Sequence, residues 1–120
     1  MYKRKTIKIP IYFGYLNIIL TDDFQAISDK YGFDMDMSGC EAITFVNEHR
    51  GVSHFMVVFK PYTSLKTICH ETVHLVNRIM KSRGIELSYL NDEPQAYLSG
   101  WVFDQCYKFL NKELNNDAKV

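Results

Sequence analysis

The chain changes its hydrophobic period near the midpoint. Alternation dominates the first sixty residues, and a repeat of three to four dominates the rest. Residues 7–13 and 15–20 read as two strands, with Gly14 as a turn or bulge between them. Thr21-Asp22-Asp23 is a helix-start signal, followed by Phe24, Ile27 and Tyr31 at helical spacing and ended by Gly32. Residues 42–47 and 52–60 read as a hairpin around the polar turn 48–51. Thr63 or Ser64 caps a long helix reaching about Ser82, with Gly84 as its stop. Asn91 or Asp92 caps a last helix, 93–114, with Pro94 in the first turn, where a missing N–H costs nothing. The expected fold is α+β: one domain, 1–120, with a small, mostly antiparallel sheet packed on helix 63–82 and helix 93–114 beside it.

The second helix carries the chemistry. At about 100° per residue, Leu65, Ile68, Cys69, Val73, Leu75, Val76, Ile79 and Met80 share one broad apolar side, while His70, His74, Asn77 and Thr67 lie opposite. His70-Glu71-Thr72-Val73-His74 is an H-E-x-x-H motif. Positions i and i+4 share a helix face, so two imidazoles can reach one metal ion. Glu71 flanks the pair and is placed to take a proton from metal-activated water. Catalytic zinc takes three protein ligands, with His₂Glu a standard set. Glu93, at the start of the last helix, is the expected third ligand. Ala96 and Gly100 on the same stripe would let another helix approach.

Composition narrows the setting. The chain is 47% hydrophobic and 14% aromatic, enough for a packed core. Fourteen basic and fourteen acidic residues leave no net charge, so nothing argues for a nucleic-acid partner. No stretch could span a membrane, and the Lys3-Arg4-Lys5 start lacks the apolar core of a signal peptide. Cys40, Cys69 and Cys106 are odd in number and widely spaced, which points to reduced thiols and a cytoplasmic location.

H-E-x-x-H followed about eighteen residues later by a helix-borne Glu resembles the gluzincin zinc metallopeptidases. The likeness covers residues 62–107. It implies a zincin-like fold, Zn²⁺ held by His70, His74 and Glu93, Glu71 as general base, and a peptide or protein substrate. In that family an Asp often follows the ligand Glu by four residues and orients a zinc histidine. Here the position holds Tyr97, so Asp92 or Asn77 would have to take that part. Tyr97 is the candidate stabiliser of the oxyanion, with Tyr89 second. Edge strands of such enzymes pair with extended peptides, and hairpin 42–60 is the candidate.

Two other readings stand beside this one. Gly39-Cys40, thirty residues before His70, resembles the upstream cysteine ligand of peptide deformylases, without their glycine-rich motif. A non-catalytic, zinc-stabilised interaction module could be closed by His49 or His54. Glu71 discriminates, because a purely structural zinc site has no use for a carboxylate there.

Overall fold

The computed structural model describes residues 1–33 and 39–118. Its sheet has four strands in the order β1-β2-β4-β3: β1 Tyr2–Lys8, β2 Tyr15–Thr21, β3 Ala42–His49 and β4 Val52–Phe59. Three helices complete it: α1 Phe24–Tyr31, α2 Leu65–Ser82 and α3 Glu93–Ala118. The α+β class is as expected. The sheet, however, is mixed: β1–β2 and β3–β4 are antiparallel, whereas the central pair β2–β4 is parallel. The hairpin β3–β4 docks through its second strand, which leaves β3 as an edge of the sheet among the described residues.

β2 shows that the centre is covered on both faces. Every residue from Leu16 to Thr21 is buried, the near-continuous apolar run of a strand covered on both faces. Leu16, Ile18 and Leu20 join Phe55, Val57 and Phe59 against α2 and α3. On the other face Ile19, Met56 and Val58 meet Phe24 and Ile27 of α1. Asn17 is fully buried within that run. Its Oδ1 accepts from Arg4 Nη2 (2.6 Å) and Thr6 Oγ1 (2.8 Å), and its Nδ2 lies 3.2 Å from His54 Nδ1.

β1 lies earlier than the expected 7–13. Its residues are mostly exposed, and Lys3, Arg4 and Lys5 belong to it. Charge along an edge strand discourages pairing with other chains, so this element does not show an apolar pattern. Pro10, lacking an N–H, stands outside the ladder. A tight reversal follows, closed by Ile9 N–H donating to Gly14 O at 3.0 Å. Gly14 has φ +83°, and a Cβ there would stand 2.8 Å from the Ser53 carbonyl oxygen.

The helix starts follow local chemistry. The Asp23 side chain accepts from Ala26 N–H, Gly32 closes α1 at φ 74°, and the Ser64 side chain accepts from Thr67 N–H. α2 buries Ile68, Leu75, Val76, Ile79 and Met80, but also Glu71 and Thr72. Leu65, Cys69 and Val73, expected on the apolar side, are exposed. The apolar arc of the sequence is wider than the contact one helix makes with a sheet and one neighbour, and these three lie outside it.

Two substitutions test this packing. Gly14→Ala meets both a left-handed φ and a backbone oxygen, and should cost on the order of 1–3 kcal/mol in urea unfolding. Leu75 is fully buried, so Leu75→Asp should cost several kcal/mol and leave little folded protein by far-UV circular dichroism.

Candidate metal centre

α2 presents its motif along β3. His70 and His74 are exposed, with Nε2 atoms 3.2 Å apart and ring planes inclined at 76°. Two nitrogens on a tetrahedral zinc at ~2.05 Å each would stand ~3.3 Å apart. The observed separation is close to that distance. Without metal, the same distance suits one shared proton.

Glu71 sits beside them on the inner side of the helix, only 6% exposed. Burial raises its carboxyl above the usual range, and His74, His70 and Arg78 pull it back down in that order. A carboxyl held in this balance is suited to accept and release a proton.

The carboxyl lines two adjoining clefts. The larger, about 330 Å³, has His74, Glu71 and Arg78 on one wall and Ala42, Ile43, Thr44 and Phe45 on the other, with Phe33 alongside. Successive side chains of a strand point to opposite faces. Four consecutive residues of β3 can border one cleft only along their shared edge. The smaller cleft holds Glu41, Lys66, Thr67, His70 and Glu71. Glu41 is fixed at both ends: its carbonyl accepts from Lys60 N–H (3.2 Å) and its Oε2 from Thr67 Oγ1 (2.9 Å).

The expected third ligand is not brought to the histidines. Glu93 and Tyr97 line a separate cleft with Pro10, Ile11 and Tyr12. α2 continues from His74 to Ser82 before the chain turns, and α3 begins only at Glu93. The Glu93 cleft shares no lining residue with the two that Glu71 borders. Among the described residues, no group of three or more His, Cys, Asp or Glu side chains is arranged to hold a metal. Asn77, Tyr89 and Asp92 are exposed. Cys40 packs with the α1-side core cluster. His54 is engaged by Asn17 and stacked on Tyr15 at 5.3 Å, and His49 is exposed at the end of β3.

Arg78 and Glu41 escaped the sequence reading. Arg78 lies four residues after His74, a spacing that does reveal a shared face. Glu41 has no such signal, because only the tertiary fold carries it to α2. Among the described residues, no helix is long and apolar enough to cross a membrane. Comparison with family models, curated proteins and solved structures gives no match.

The burial of Glu71 sets a pH dependence. With its folded pKa above the unfolded value, the metal-free fold binds this proton more tightly than the unfolded chain does. Stability is then lost as pH rises from the ordinary carboxylate range through the raised value. Relative to Glu71→Gln, chelator-treated wild type should match most closely near pH 4 and fall behind by pH 7.5 in urea titrations. The cysteines give a second test. Burial, then the nearby Glu71 charge, push Cys106 up to about 12, whereas Cys69 is exposed. A thiol reagent at pH 8 should label Cys69 rapidly and Cys106 only after denaturation.

Proposed function

We propose that the chain is a zinc-dependent hydrolase of peptide bonds that works in the cleft between β3 and α2. The observation that carries the reading is the pair of histidine nitrogens 3.2 Å apart, flanked by a buried carboxyl and faced by an open strand edge. His70 and His74 hold the metal. Glu41, the other carboxylate bordering the cleft beside His70, is the candidate third donor in place of Glu93, and its carboxylate would have to leave Thr67 and move toward the histidines to complete the set. Zinc, when bound, acidifies water and polarises the scissile carbonyl.

The protein's own groups do the rest. An extended peptide pairs with the free edge of β3, which holds its backbone alongside α2. Phe33 and Phe45, in edge contact with ring centroids 4.7 Å apart, give that path an apolar wall. Glu71 takes the proton of the attacking water and returns it to the leaving amine. Arg78, on the same wall, offers a cation to a substrate carbonyl or carboxylate.

Zinc-loaded protein should cleave members of a mixed-peptide library. Glu71→Gln should keep one zinc per chain and lose ~10²–10⁴-fold in rate. His70→Ala and His74→Ala should each lose the metal, and Glu41→Gln should weaken it. Wild-type turnover in Glu71→Gln would leave instead a zinc-stabilised interaction module. Loss of metal in Cys40→Ser but not in Glu41→Gln would favour a deformylase-like ligand set.

A further inference from the structure

The cleft that holds Glu93 has a chemistry of its own. It lies between the β1–β2 reversal and the start of α3, with a volume of about 480 Å³. Three aromatic rings line it, those of Tyr12, Tyr97 and Trp101, and the remaining lining is apolar apart from Asn91 and Glu93. Among the described residues Glu93 is the one charged residue on the lining, and it is exposed. Among the described residues its carboxylate takes part in no ion pair. A Glu in the first turn of a helix is ordinary, since it complements the helix dipole. One that shares a cleft with three aromatic rings and forms no ion pair with the nearby Arg83, which is spent on the Tyr12 carbonyl, has the chemistry to receive a cation with an apolar body.

The wall opposite α3 is built at a cost. Tyr12 N–H donates to Pro10 O at 2.7 Å across Ile11, whose φ is 69°. This is the rare, strained form of γ-turn, here with a β-branched residue at its centre. The strain is not offset by burial, because Ile11 is 83% exposed. Arg83, at the end of α2, fixes the reversal by donating from Nε to Tyr12 O. A strained, pinned turn that keeps an apolar side chain in solvent at the rim of a cleft fits a ligand-binding wall.

We propose that this cleft is a second binding site, which takes the arginine or lysine side chain of a peptide segment. The guanidinium or ammonium lies against the rings of Tyr97, Trp101 and Tyr12 and pairs with Glu93, while neighbouring apolar residues of the peptide cover Ile11 and Pro94. Charge complementarity selects the occupant: a neutral or acidic segment would strand Glu93 beneath it. The site shares no lining residue with the two clefts beside Glu71, so it is tested separately from the hydrolase reading.

Trp101 is the only tryptophan of the chain, so its emission reports directly on this cleft. The full chain, treated with chelator, is titrated with a capped six-residue apolar peptide that carries one central arginine. Control peptides carry norleucine or glutamate at that position. The arginine peptide should change the emission saturably below millimolar concentration, and the controls should bind at least about tenfold more weakly. Glu93→Gln and Tyr97→Ala should each weaken the arginine peptide about tenfold, with far-UV circular dichroism unchanged. Equal titration by all three peptides, no titration by the arginine peptide, or full affinity in Glu93→Gln would overturn the assignment. Loss of zinc from Glu93→Gln with arginine-peptide affinity intact would return Glu93 to the histidine centre and equally overturn it.

Discussion

The rotation of α2 about its own axis is the constraint on which the rest depends. Leu75, Val76, Ile79 and Met80 are driven under the sheet, and that burial fixes which way every other residue of the helix points. With those four turned inward, His70 and His74 emerge on the outer side, and Glu71, about 60° from His74, falls at the boundary. The boundary position gives Glu71 its dual character. Its carboxyl is desolvated by the core yet opens on the clefts along β3. A rotation of one residue would sink a histidine or expose the carboxyl, and either change would separate the parts of the site.

Desolvation and charge work against each other around Glu71, and desolvation is the larger effect. The groups that oppose it come from the same helix: His74, His70 and Arg78. A doubly charged ion between the histidines would add to that opposition. Cys106 is part of the same balance from α3, where a low-dielectric setting and the neighbouring carboxylate keep it a thiol. Its role is packing, as a small apolar group against the back of the site.

Much of this was legible because it is local. Asp23 and Gly32 bound α1, Ser64 starts α2, and the polar turn at 48–51 announces the hairpin, since each acts through its own neighbours. The i, i+4 pairing of His70 and His74 is likewise a property of one helix. What could not be read depends on distance along the chain. β1 carries Lys3, Arg4 and Lys5 because an edge strand has only one side to pack, so its pattern resembles a loop. The parallel pairing of β2 with β4 has no local signature. The offset between α2 and α3 decides whether Glu93 reaches the histidines, and helix spacing alone says nothing about it. Glu41 is carried to α2 by the hairpin, where no local pattern announces it, and Glu93 lines a separate cleft at the start of α3.

Asn17 carries a further consequence. It is the one amide in an otherwise apolar central stretch, and it meets Arg4 and Thr6 on one neighbouring strand and His54 on the other. Hydrophobic packing alone would tolerate β2 sliding against either neighbour, because Leu, Ile and Val interchange at modest cost. A slip by one place would turn this amide toward the helices, where no partner waits, and would lose each of these contacts at once. The residue thus acts as an alignment mark read by three strands together. Since β4 carries β3, and β3 forms the wall facing the histidines, the accuracy of that distant cleft is inherited from a single polar side chain on the opposite face of the sheet.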